Sequence, residues 1–351
     1  MTIAPTTVLL TGASGFIASH IVKQLLEQGF HVVGTVRSQA KADYFINRYG
    51  KEAPLKFAIV EDIVSDDAFD KVLQEHPEIT AVLHTASPFH FNATDYEEHL
   101  YAPAVKGTRN ILESVRKFAP QVKRVIITSS YAAIMDISKE QDSSFTITEK
   151  TWNPMTREDA TDPRGAYCLS KKLAEAAAWE FVEQNEDQLN FTVSTINPPF
   201  VWGPLENQLD VNSLNTSNEF LLNIFLTAKK LKEDGKDNGD VIPGGPISWV
   251  DVRDVAWAHI DAITNPKAPN QRWWITPGHA FPQEIVNLLH QGLPKFASGI
   301  AIGNPEKPEI DMSCRAAFDN HITNEQTGIK YIPLSSTIKD AFGQFLTAKS
   351  A

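Results

Sequence analysis

The chain is 351 residues long, 42% hydrophobic and 21% charged, with a formal net charge of −11. That length suggests two domains, or one domain with a large lobe, and it allows a sizeable core. The negative charge argues against a nucleic-acid or anionic-membrane partner, since both would be repelled.

Two cysteines, Cys168 and Cys314, cannot build a disulfide framework and point to a reducing compartment. Met1 to Pro5 lacks the basic and apolar pattern of a signal peptide, and no apolar run approaches the roughly twenty residues of a spanning helix. The expected location is cytoplasmic, and the Asn-x-Ser/Thr triplets at Asn92, Asn190 and Asn215 are read as chance matches.

In chain order, Thr7 to Leu10 reads as a buried strand. Phe16 to Gln28 has apolar residues at helical spacing and stops at Gly29. His31 to Val36, Leu55 to Val60, Ala81 to His84 and Arg124 to Thr128 are strand-like. Helical patterns separate most of them, including Ser65 to Glu75 and Tyr96 to Phe118. Continuous apolar strands alternating with helices imply a parallel sheet covered on both faces, and right-handed crossovers make it doubly wound. The fold class is therefore α/β, a Rossmann-type doubly wound parallel sheet.

After Asn197 the texture changes. Leu205 to Asn218 is a polar loop, Phe220 to Lys232 a helix, and Lys232 to Asp240 a polar surface loop. Trp249 to Ala262 looks helical, and Gln271 to Thr276 looks like a further strand of the sheet. The expected division is a first domain of residues 1–197 and 247–277, with a smaller, discontinuous C-terminal lobe of residues 198–246 and 278–351.

The first strand runs into Thr11-Gly12-Ala13-Ser14-Gly15-Phe16-Ile17-Ala18. Gly12 allows a tight turn, Gly15 a close backbone approach to a pyrophosphate, and Ala18 close helix packing. Free N–H groups at the helix start then face the phosphates. An ordinary strand–turn–helix corner is the alternative, but the position between first strand and first helix favours a dinucleotide. NAD binders usually place a carboxylate about twenty residues past this loop. Here Arg37 follows the second strand, with Lys41 beyond, and no Asp or Glu occurs between Glu27 and Asp43. Arginine can take a 2′-phosphate through charge-assisted hydrogen bonds, so NADPH is expected over NADH unless these are merely solvated cations. Asp62 and Ile63 could meet the adenine, or form an exposed acidic loop.

Tyr167 and Lys171 open a strongly helical stretch, and their i, i+4 spacing puts them on one face. An ammonium beside a phenol favours phenolate, which would lower the Tyr pKa from its reference of about 10. Tyr167 would then be a proton donor near neutral pH. Alone the spacing is usually a surface pair. It gains meaning from Thr128-Ser129-Ser130 at the end of the fifth strand, where parallel sheets bind ligands.

Several segments then occur in one order: the glycine loop, His84-Thr85-Ala86-Ser87-Pro88-Phe89, Thr128-Ser129-Ser130-Tyr131, Ala166-Tyr167-Cys168, Ser170-Lys171-Lys172, Asn197-Pro198 and Asp251-Val252-Arg253-Asp254. The chain resembles the extended short-chain dehydrogenases/reductases over nearly its whole length. Within them it is similar to yeast NADPH-dependent methylglyoxal and aldehyde reductases, relatives of dihydroflavonol reductase. The resemblance implies Tyr167 as general acid, Lys171 on the nicotinamide ribose and Ser130 orienting the carbonyl. It also implies Thr85, Ala86 and Ser87 in the cofactor groove, with Pro198, Val201 and Ser217 at the nicotinamide end. Many relatives carry an Asn in the helix before Gly107-Thr108, where this chain has Pro103 and Ala104, so a fourth catalytic residue stays unassigned.

Phe89, Phe91, Tyr131, Met135 and Trp202 follow these motifs closely and are candidate walls of an apolar substrate pocket, although core packing is expected for at least some. The ten histidines show no metal-ligand spacing, and no metal is expected. The expected partner is a small carbonyl compound, aliphatic or aromatic, and the expected assembly a monomer or homodimer. Two other readings stand beside the reductase: a sugar-nucleotide epimerase or dehydratase, and a non-enzymatic NADP(H)-binding regulator. No Arg/Lys cluster is present to take a nucleotide sugar's diphosphate, which weakens the first.

Overall fold

The computed structural model describes residues 6–87, 95–207 and 214–350. Elements β1 (Thr7–Thr11), α1 (Phe16–Glu27), β2 (His31–Val36), α2 (Gln39–Tyr49), β3 (Leu55–Ile59), α3 (Asp70–Glu75) and β4 (Ile79–His84) come first. A π-turn at Glu97–Tyr101 leads into α4 (Ala102–Phe118), followed by β5 (Arg124–Thr128), β6 (Thr146–Thr148), α5 (Pro163–Gln184) and β7 (Thr192–Ile196). Then come β8 (Phe200–Trp202), α6 (Thr216–Glu233), β9 (Ile247–Asp251), α7 (Val252–Thr264), β10 (Arg272–Trp273) and β11 (Gly278–Ala280). The chain closes with α8 (Pro282–Gly292), α9 (Pro294–Ala297), β12 (Ala317–Asp319), α10 (His321–Thr327) and α11 (Leu334–Ser350).

Seven strands form one sheet in the order β10-β7-β5-β4-β1-β2-β3, and every pairing in it is parallel. Alternation along each strand splits the core between two faces. Val8 and Leu10 pack with α1, α2 and α7, while Leu9 packs with α3, α4 and α5. Strand order reverses between β1 and β4, the place where a doubly wound sheet opens a crevice at its C-terminal ends.

A second sheet, β11-β9-β8, carries the smaller core with α6, α8 and α11. Two sequence expectations change here. Trp249 lies in β9, not in a helix, because α7 begins only at Val252, where Asp251 caps it by accepting from Arg253 N–H at 2.8 Å. Within β9, alternate residues serve the two cores: Trp249 faces the second and Val250 the first. Likewise, the helix expected from Ser65 begins at Asp70. Asp251 also binds the Arg253 guanidinium and the Thr337 hydroxyl, and Asp254 accepts from Ile332 N–H at 2.9 Å. Both acids tie α7 to the C-terminal segment, a structural role.

Two buried histidines pin strand ends. His84 Nδ1 meets Thr11 Oγ1 at 2.9 Å and His259 Nε2 meets Thr128 Oγ1 at 2.7 Å. Burial pushes their pKa values down from 6.5, to about 3 and about 4. The unfolded chain binds these protons at 6.5 and the fold does not. The histidines' contribution is therefore whole above pH 6.5 and is lost as pH falls toward 4 and 3. Asp254 works in the opposite sense. Burial raises it to about 7, so its contribution grows as pH falls from 7 toward 3.8. Denaturant unfolding at pH 7 and pH 5 should show each histidine removing on the order of 2 kcal/mol over that interval. His259→Asn should lose its share of that pH dependence; a variant with the wild-type pH slope would refute the assignment.

Candidate active site

A cleft of about 1280 Å³ opens between the C-terminal ends of the large sheet and the second lobe. Its nucleotide end is built by the turn after β1. Gly12 has φ +66°, and a Cβ there would lie 3.0 Å from Ala86 Cα, so the turn admits only glycine. Gly12 N–H donates to Thr35 Oγ1 at 3.1 Å, and Thr11 Oγ1 accepts from Thr85 and Ala86 N–H, each at 3.1 Å. The turn is thus stitched to β2 and β4. Gly15 caps α1 without any side-chain cap, and the first turn of α1 carries no acidic residue. Its N–H groups are left for an anion, as a pyrophosphate requires. The residues present fit a dinucleotide.

The cleft brings together most of the expected residues. Gly15, Phe16, Ile17, Thr85, Ser87, Ser130, Tyr131, Met135, Tyr167, Lys171, Pro198, Val201 and Ser217 all line it. Arg37 and Lys41 are exposed at the end of β2 and in the first turn of α2. With Gly12, Ser14, Asp62, Ile63 and Ala86 they lie outside its lining. Asp62 is exposed and accepts from Val64 N–H at 3.0 Å, whereas Ile63 packs toward Gly107 of α4.

Trp202 is a correction. It is fully buried in the second core, stacked on Trp249 at 5.9 Å, and takes no part in the cleft. Its ring enters the second core, whereas Phe200 and Val201 before it both line the cleft, Val201 also packing in the first core. Phe89 and Phe91 lie outside the described residues. Tyr131 is held flat against Trp274, 5.1 Å between ring centroids and 8° apart in plane. The wall also contains Phe200, Phe220, Asn223, His279 and Arg315, which sequence reading missed. Phe200 stacks on Phe220 at 4.8 Å. Only Phe200, three places past Asn197, had a nearby motif to mark it. The others come from segments without one.

Ser130 caps the short turn Tyr131–Ala133, where its Oγ accepts from Ala132 N–H at 3.1 Å. That bond occupies a lone pair and leaves the O–H to donate. Ser130 is also hydrogen-bonded to the Tyr167 phenol. The expected electrostatics of the pair do not hold. Burial pushes Tyr167 up to about 12, and the Ser130 bond offsets only part of this. Burial also lowers Lys171 to about 8. The lysine Nζ sits 5.7 Å from the Tyr167 ring centroid and donates to Ser87 Oγ at 2.8 Å. Sharing a helix face brings the two together, yet burial shifts both toward their uncharged forms.

Among the described residues, no helix is long and apolar enough to cross a membrane, and no group of three His, Cys, Asp or Glu is placed to hold a metal ion.

Residues 8–275 match the model of the NAD dependent epimerase/dehydratase family. A curated relative, the NADPH-dependent methylglyoxal reductase Gre2 of Saccharomyces cerevisiae, is 40% identical over 97% of this chain and 98% of its own length. The crystal structure of a yeast methylglyoxal/isovaleraldehyde reductase complexed with NADPH superposes with a TM-score of 0.89 at 38% identity, covering 98% of this chain and 99% of that one. Gre2 of Candida albicans in complex with NADPH gives 0.89 at 42% identity, covering 98% and 99%. With its sheet order, glycine turn and matched length all in agreement, the chain belongs to the NAD dependent epimerase/dehydratase family.

Proposed function

We propose that the protein is an NADPH-dependent carbonyl reductase that converts small aldehydes and ketones into alcohols. The observation that carries this reading is the meeting of Ser130, Tyr167 and Lys171 inside one cleft, continuous from the α1 N-terminus to an apolar, aromatic wall. Relatives of matching length are NADPH-dependent methylglyoxal reductases, and two solved relatives hold NADPH. The absence of a carboxylate before Asp43, with Arg37 and Lys41 in its place, favours the 2′-phosphate.

Bound NADPH supplies a hydride equivalent to the carbonyl carbon. The chain does the rest. Ser130 and Tyr167 hold the carbonyl oxygen by two donated hydrogen bonds, which strengthen as charge develops on it. A phenol raised to about 12 by burial stays protonated across the working pH range. It can still release its proton, because the forming alkoxide is the stronger base. Lys171 then faces the phenolate and stabilises it, and the single Ser130 O–H is free to turn to it once the substrate oxygen is protonated. Tyr131, Met135 and the Phe200–Phe220 pair favour an apolar substituent on the substrate. The outer wall belongs to the second lobe, which we place at residues 198–246 and 278–351. We further place the enzyme in the cytoplasm, in keeping with two free cysteines, as a monomer or homodimer.

Following NADPH absorbance with a panel of aldehydes and ketones tests the reading. Net consumption with an alcohol product supports it. Tight cofactor binding with no net consumption would favour an epimerase or dehydratase, and binding with no turnover a regulator. Tyr167→Phe should lower kcat about a hundredfold or more, the range of general acid catalysis; undiminished turnover would contradict the role. Arg37→Ala should raise the NADPH KM far more than the NADH KM, and an equal effect on both would reject the phosphate contact.

A further inference from the structure

Behind Ser130 lies a buried polar cluster that the chemistry above does not use. Glu175 is 1% exposed and sits on α5, two turns beyond Tyr167. Its carboxylate faces the sheet. It accepts from the Ser129 hydroxyl, from Asn197 Nδ2 at 2.6 Å, from Arg272 Nε at 2.5 Å and from Trp179 Nε1 at 3.2 Å. The Asn197 amide also donates to Ser130 O at 3.2 Å, and Tyr131 N–H donates to Pro198 O at 2.9 Å. Arg272 extends the cluster outward. Its guanidinium donates to the carbonyls of Glu149 and Thr151, both at 2.7 Å, and to Ala133 O at 3.4 Å. It also lies over the Trp152 ring at 4.0 Å.

One carboxylate on the helix of Tyr167 therefore grips the ends of β5, β7 and β10 at once. Stability does not explain it. A buried ion pair loses most of its attraction to desolvation, and an apolar pair of the same size is often as stable or more so. Apolar contacts, however, are non-directional, whereas a carboxylate with several donors fixes distances. The distance in question is that between Ser130, at the end of β5, and Tyr167, on α5.

We infer that Glu175 is a positioning residue for the proposed reduction, setting Ser130 against Tyr167 through Ser129 and Asn197, with Arg272 neutralising its charge. The inference rests on the reductase reading. It acts through a particular hydroxyl, so its loss should matter only while that hydroxyl is present. The test is a pair of double-mutant cycles, E175Q with S130A and N197A with S130A, with kcat expressed per NADPH-binding site so that unfolded protein drops out. E175Q should lower kcat about tenfold or more, as a misplacement below 1 Å can do, and leave the NADPH KM within about twofold. In the S130A background the further loss should be below about twofold.

Equal losses in both backgrounds, or none in either, would overturn the inference, the former marking a general structural role. N197A keeps the ion pair, breaks the bridge to Ser130 and frees the Thr195 hydroxyl, which can still reach Glu175, so it carries the same comparison if E175Q fails to fold. Wild-type turnover is read alongside. An active wild type with an undiminished E175Q removes this inference alone, whereas an inactive wild type removes the reductase reading as well.

Discussion

The site depends on taking a phenol and an amine partly out of water together, half-buried on one turn of a helix. In water the pair would be an acid and a cation at neutral pH. Inside the protein both lean to the uncharged form, Tyr167 near 12 and Lys171 near 8. In the proposed reduction, a phenol so placed keeps its proton at neutral pH and yields it to a base formed in the cleft. The burial that raises the phenol also strengthens the Ser130 hydrogen bond and the field of Lys171 once charge forms, because both act in a low dielectric.

That burial is made possible by the fold. The C-terminal ends of the large sheet form one side of the cleft. The second sheet, β11-β9-β8, and helix α6 line the other. Strand β9 joins the two halves physically, with Trp249 in one core and Val250 in the other, so neither lobe can shift without disturbing both. The cleft is correspondingly asymmetric. Its nucleotide end is stitched by backbone bonds to Thr11 and Thr35. Its substrate end is walled by side chains from Tyr131 to Phe220 that chemistry leaves free to vary.

How much of this the sequence discloses follows from the range of the interactions. The glycine turn, the strand–helix alternation and the Tyr167–Lys171 spacing are local, each legible within a few residues, and the structure places them as expected. Trp202 misleads because its strand neighbours Phe200 and Val201 both line the cleft while its own ring enters the second core; a strand as short as Phe200–Trp202 leaves no pattern from which to read the face. Trp249 misleads because helix α7 continues its apolar periodicity directly, and the capping Asp251 is the sole local boundary. The phenol's acidity escapes the sequence for a different reason. Helical spacing reports proximity but carries no information on how much water is excluded, and desolvation is the largest cause of the shift.

The Glu175–Arg272 cluster belongs to the class of features that sequence cannot disclose, since its members come from α5, β10 and the residues just past β5 and β7, and meet only when the sheet closes. A buried charge with this many partners has little margin for local adjustment: a half-satisfied cluster costs more than an apolar one. The cluster therefore holds its members at set distances. On the proposed reading, the Ser130–Tyr167 geometry is better held by such a directional network than by apolar packing, which is non-directional. On the proposed reading, the same directional bonds that make Glu175 expensive to bury let a strand end and a helix, far apart in the chain, present two hydroxyls to one oxygen.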